Sequence, residues 1–170
     1  MPPRTPRALS SPVTDATPRA EAAEVLQAFR LVFNAVRTHF RAVEKKTGVG
    51  GAQVWALSVI RDQPGIGVGA LARVMDIHQS TTSNLVKQLI ERDMITALKE
   101  GTDRRAVQLR IRPAGTRLLK RAPQPFAGVL PEALNTLDRA TLRRLKKDMG
   151  HLVAELGVDP DDRQTPLAPL

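Results

Sequence analysis

Residues 64–112 constrain this chain more than any other stretch, because they read as two short helices, a tight turn and a hairpin in immediate succession: PGIGVGALARVMDIHQSTTSNLVKQLIERDMITALKEGTDRRAVQLRIR. Val68, Leu71, Ala72 and Met75 have helical spacing. Asp76 follows, and Asp tolerates the left-handed backbone of a sharp turn. Thr82, Leu85, Val86, Leu89 and Ile90 then fall on one helical face, which should pack against the first helix. The opposite face carries Gln79, Ser80, Thr81, Ser83, Asn84, Lys87 and Gln88. A merely solvated helix favours Glu and Lys, whereas Ser, Thr and Asn lower helix stability. Base edges in a major groove would make use of such side chains. The competing reading is a polar capping segment that ran long.

The hairpin strengthens the first reading. Ile95 to Glu100 forms one strand; Val107, Leu109 and Ile111 alternate with Gln108, Arg110 and Arg112 in the other. Gly101-Thr102-Asp103-Arg104-Arg105 lies between them. Two guanidinium groups at a hairpin tip beside a polar helix suit phosphate contact or a narrow minor groove. Asp103 would orient an arginine through a paired hydrogen bond. A solvated turn is the plainer alternative.

These segments resemble the MarR-type winged helix-turn-helix regulators. The resemblance rests on LARVMDIHQSTTSNLVKQLIERDMI, on DRRAVQLRI and on PAGTRLL, and extends more loosely over about residues 22–156. It implies obligate dimers that bind palindromic operators and often respond to small aromatic acids or phenols. Asp103 and Arg105 match the Asp-x-Arg of the family's wing. Three positions depart from the pattern. Asp76 and Asp93 stand where the family often has Gly, and Arg112 stands where a Thr or Ser often caps the next helix. That cap must then come from elsewhere.

Charge agrees with a polyanionic partner. Residues 1–20 carry three Arg against one Asp, and residues 157–170 carry one Arg against three Asp, so the net +9 lies in residues 21–156. With four Phe, one Trp and no Tyr the chain lacks the stacking platforms of single-strand binders, which leaves duplex DNA. There is no Cys, and hence no disulfide or thiolate chemistry. The first residues lack a signal-peptide core, and no apolar run reaches membrane-spanning length, so a cytoplasmic protein without a membrane partner is expected.

Taken in order, residues 1–20 read as a disordered tail rich in Pro, Ser and Thr. Residues 21–50 hold a long helix whose Val25, Phe29, Val32, Val36, Phe40 and Val43 recur at three and four, more apolar surface than a small module needs. Residues 51–112 form the DNA-binding region, with a helix over about 52–62 and Ile66 as a short first strand. Residues 113–156 supply C-terminal dimerisation helices. Pro113 suits a first turn, the run Pro123, Pro125, Pro131 predicts a kink or a break, and Asp138 can cap the last helix. Residues 157–170 form a second disordered tail.

No enzyme motif is present. His39, His78 and His151 lack metal-ligand spacing, and there is no phosphate loop or nucleophile elbow. Neither cofactor nor metal is expected, and His78 reads as a cap or phosphate contact. A small aromatic acid or phenol is a possible effector, with His39 and Trp55 as candidate pocket residues. Core packing is the favoured role for Trp55, and a surface position the favoured one for His39.

The expected fold class is mainly α with a small β wing: a winged helix-turn-helix part joined to a helical dimerisation part. The expected function is a homodimeric, sequence-specific regulator, by default a repressor. Two-fold symmetry would place its recognition helices about 34 Å apart. The alternatives are a sequence-independent architectural DNA binder and a winged module that binds protein instead of DNA.

Overall fold

Long apolar periodicity produces the first element, α1 (Pro18–Thr47). The structure, a computed structural model, describes residues 18–99 and 107–158. Helix α1 takes in Pro18, Arg19 and Ala20, so the expected tail is shorter than residues 1–20; the remainder of it lies outside the described residues. The chain divides into two units at Phe33 and Asn34. In the first, Val25, Leu26, Val32 and Phe33 of α1 are exposed, and Phe29 and Phe33 stack at 6.2 Å. In the second, Phe40 and Val43 of the same helix are buried.

Helix α2 (Gly51–Asp62) is the central core element, with Ala52, Val54, Ala56, Leu57 and Ile60 fully buried. It is followed by α3 (Val68–Met75) and α4 (Gln79–Glu91). Both end in the same way. Asp76 takes φ 50°, ψ 47°; its amide donates to the Arg73 carbonyl, and that of Ile77 to Ala72. Asp93 takes φ 58°; its amide donates to Ile90, and that of Met94 to Leu89. These are Schellman closures, in which a left-handed residue turns the chain and satisfies the last carbonyls. Asp therefore fills at both ends the place that favours Gly.

Strand β1 (Ile95–Lys99) pairs antiparallel with β2 (Val107–Ile111), Ile95 opposite Ile111 and Ala97 opposite Leu109. Ile66 joins this sheet through a bridge to Leu109, as its position predicted. Leu57, Ile60, Leu71, Leu85, Leu89, Ile95 and Leu109 form the fully buried centre, so every element of the winged unit contributes to one core. Each such side chain contributes roughly 1.5–3 kcal/mol by leaving water. Ile90, expected on the packing face of α4, is instead 42% exposed.

Helix α5 (Pro113–Arg121) starts with proline at its first turn. Arg112 provides no side-chain cap, and its carbonyl accepts from the Thr116 amide at 3.0 Å. Gly115 is required here: a Cβ would lie 2.5 Å from the Met94 carbonyl oxygen. The helix breaks at Pro123 and Pro125 and resumes as α6 (Val129–Thr136), which takes Pro131 into its first turn; a Cβ on Gly128, at φ 104°, would lie 3.0 Å from Phe40 Cζ. Helix α7 (Arg139–Leu156) is capped by Asp138, whose carboxylate accepts from the amides of Ala140 and Thr141. It has no buried residue and exposes Leu145, Leu152, Val153 and Leu156. Gly157 closes it in the left-handed conformation, and residues 159–170 lie outside the described residues.

Candidate nucleic-acid interface

The buried side of α4 comprises Thr82, Leu85, Val86 and Leu89, and this fixes which side chains face away. Gln79, Ser80, Ser83, Asn84 and Lys87 are exposed, and Thr81 is half-buried. The structure thus brings six of the seven expected α4 side chains onto the accessible side. Thr82 and Ser83 each return their hydroxyl to the carbonyl four residues earlier, His78 and Gln79 respectively. Local bonds of this kind explain how a helix so rich in hydroxyls stays regular.

Gln88 departs from the expected set. It is half-buried, and its side-chain oxygen accepts from the amide of Gln53, which is itself 3% exposed. Gln53 in turn accepts from the Gly50 amide at 3.2 Å. Two amide side chains therefore link the start of α2 to the middle of α4. Arg92 adds a second link, donating to the Gly48 carbonyl at 3.2 Å. Gln88 thereby helps to hold the helix in place. His78 is likewise not a side-chain cap: it occupies the capping position and offers only its backbone carbonyl to Thr82.

The wing residues Asp103, Arg104 and Arg105 lie outside the described residues. The strands that lead to them are described, and Arg110 on β2 is exposed with its guanidinium 3.5 Å from Gln108. Arg73 was not among the side chains singled out from the sequence. It is exposed on α3 and lines, with Gly69, Asp76, Ile77 and Gln79, a cleft of about 310 Å³ beside the first turn of α4. It lies off the apolar stripe of α3.

His39 and Trp55, the expected pocket residues, behave differently. Trp55 packs partly buried against the core. His39 does not take the surface position expected of it: its ring meets Phe40 edge-on at 5.3 Å, and its Nε2 is buried without a hydrogen-bond partner. Among the described residues no group of three His, Asp or Glu side chains could hold a metal ion. No described helix is long and apolar enough to cross a membrane.

The fold has counterparts in known proteins. The MarR family model matches residues 47–106. A Thauera aromatica protein, named for transcriptional regulation of the hcr operon, is 34% identical over 90 residues, 53% of this chain. The chain spans 54% of that relative's length. The MepR–DNA complex of S. aureus has the same fold, with a TM-score of 0.52 and 14% identity over 84% of this chain and 99% of that one. BldR of Sulfolobus solfataricus shares it too, at a TM-score of 0.51 and 16% identity over 82% of this chain and 99% of that one. Residues 47–106 are thus similar to the MarR family, and the fold built around them is the one these winged helix-turn-helix structures share.

Proposed function

We propose that this chain is a transcription regulator that binds double-stranded DNA as a homodimer. The observation that carries the reading is the accessible row Gln79, Ser80, Thr81, Ser83, Asn84 and Lys87 on α4, held from behind by the core and by Gln53 and Arg92. Such a helix can enter a major groove and offer hydrogen bonds to base edges. Arg104 and Arg105 of the wing would hold the adjacent backbone or minor groove, with Asp103 orienting them. The MepR relative, solved bound to DNA, lends support from outside the chain.

The dimer is supported by the exposed apolar side chains of α1 and α7, which water alone would leave unpartnered. Residues 21–50 and 113–156 would supply that interface, and 51–112 the DNA contacts. Two copies related by a two-fold axis require a palindromic site. Repression by occupying a promoter is the default mechanism, with release by a small aromatic acid or phenol.

Selection of duplexes from a random pool, followed by competition with random DNA, tests the reading. A regulator recovers a palindrome and retains at least about a thousandfold preference for it. An architectural DNA binder, the second reading, binds both pools alike; a protein-interaction module binds neither. A monomer mass by light scattering at micromolar concentration would remove the dimer.

A further inference from the structure

The bond between Gln53 and Gln88 has a direction, and the backbone fixes it. The Gly50 amide can only donate, so the side-chain atom of Gln53 that it meets at 3.2 Å is the oxygen. The Gln53 nitrogen then faces Gln88, and the atom of Gln88 that accepts from it is again the oxygen. One backbone N–H thereby orients two side-chain amides in series. Gln53 is 3% exposed, so water does not compete for either of its ends.

This relay leaves the Gln88 nitrogen over. Among the described residues Gln88 makes no other side-chain hydrogen bond. Nor is its nitrogen enclosed: among the described side chains that are not exposed, only His39 has a nitrogen or oxygen both shut off from solvent and unpartnered. Gln88 therefore shows solvent an NH2 group and keeps its oxygen inside. Thr81, seven residues earlier, lies on the same line of α4, and both are half-buried, whereas Asn84 between them is exposed. Thr81 and Gln88 thus mark the edge of the accessible side that lies towards α2. One turn beyond Gln88, Arg92 is exposed and donates to the Gly48 carbonyl, just ahead of α2. The edge of a helix laid in a major groove faces the groove wall, where the phosphates lie.

We propose that Gln53 is a positioning residue that makes Gln88 a donor-only contact for a phosphate oxygen of the duplex. A glutamine reads adenine by accepting with its oxygen and donating with its nitrogen at once. With its oxygen engaged by Gln53, that pairing is closed to Gln88. A single outward donor at the edge of the helix meets a phosphate, and Arg92 adds positive charge beside it. Gln88 then fixes where α4 sits in the groove and carries no base preference. The phosphate contact rests on the DNA-binding reading; the orientation of the two amides does not.

Two measurements on the full chain test the two parts. Without DNA, side-chain amide exchange followed by NMR should be slow for the Gln53 NH2 and fast for that of Gln88; the reverse order overturns the orientation. With the duplex selected from a random pool, each phosphate is replaced in turn by a neutral methylphosphonate, and the parent is compared with Gln53→Glu and Gln88→Met. Gln53 is the third residue of α2, where glutamate still accepts from the Gly50 amide. Its second oxygen then requires a donor, so Gln88 turns its NH2 inward and its oxygen outward. Both variants, shown to be folded by circular dichroism, should bind the unmodified duplex at least about fivefold more weakly. The methylphosphonate penalty at one phosphate of each half-site should vanish in both, with the base preference of the parent retained. Parent-like affinity of Gln53→Glu, or a penalty lowered evenly at every phosphate, overturns the contact. An altered base preference for Gln88→Met places the donor on a base edge and overturns it as well. A parent chain that selects no duplex removes the DNA-binding reading and the contact with it, while the exchange rates still decide the orientation.

Discussion

Arg112 Nη1 lies 3.0 Å from Asp93 Oδ1, so the residue that opens α5 pairs with the residue that closes α4. Both positions depart from the pattern of the family that the sequence resembles. Asp93 stands in a left-handed turn that favours Gly, and Arg112 stands where a capping hydroxyl is usual. The two departures meet each other. Asp tolerates the turn, and its carboxylate gives the arginine a partner across the β1–β2 sheet ends.

We expect this pair to be a modest stabiliser. Both side chains are about half exposed or more, at 48% and 67%. Arg112→Ala should therefore cost no more than about 1 kcal/mol. Asp93→Ala should cost more, by roughly 1–2 kcal/mol, because alanine is strained at φ 58°. Asp93→Gly should be nearly neutral. Urea denaturation of the three variants and the double mutant measures the coupling; an Asp93→Ala variant as stable as the parent would remove the turn argument.

Gly115 permits the closest packing in the winged unit. Gly115→Ala places a methyl 2.5 Å from the Met94 carbonyl oxygen and 2.9 Å from a carbon of Ile111. Backbone lies on one side, so the clash is not relieved by a rotamer change. A loss of about 1–3 kcal/mol is expected in thermal or urea unfolding.

Gln88 and Asn84 sit one helical turn apart and should respond differently. Asn84→Ala removes an exposed amide and should leave stability almost unchanged, while relaxing base preference at one operator position by roughly 1–3 kcal/mol. Gln88→Ala strands the amide of buried Gln53 and should lower stability by about 1–3 kcal/mol. Binding-site selection alongside denaturation separates the two; a changed base preference for Gln88→Ala at unchanged stability would restore it to the reading face.

Asp138 links the last helix to pH. The Thr141 hydroxyl, with the amides of Thr141 and Ala140, holds the Asp138 carboxyl below the usual carboxylate range. A folded-state value below the unfolded one means that the cap stabilises above the ordinary Asp range. The contribution is lost as pH falls through the depressed value. Helical circular dichroism of Asp138→Ala should fall short of the parent's near neutrality, and the gap should close in acid. A gap that widened as pH fell would reverse the assignment.

The local elements were legible because each has a cause within a few residues. Helical spacing marked α3 and α4, alternation marked β1 and β2, Asp138 marked the start of α7, and the prolines marked the end of α5. The polar side of α4 followed from the same spacing, since burying Leu85 and Leu89 leaves Ser83, Asn84 and Lys87 facing out. Ile90 was misplaced, and the bond held by Gln88 went unforeseen, because periodicity assigns a direction, whereas burial and bonding depend on what the neighbouring helix presents. For Gln88 the neighbour is Gln53, thirty-five residues earlier.

The amino-acid order by itself determined which segments coil, which pair, where the chain turns, and where positive charge gathers, because propensity, alternation and capping act over single turns. Only the tertiary structure decided that Gln88 bonds Gln53, that Asp93 and Arg112 meet, that the Nε2 of His39 is buried without a partner, and that Arg117 and Arg121 rim a groove lined by Met94. Each of these joins parts distant along the chain, and such contacts arise only when a common core brings the elements together.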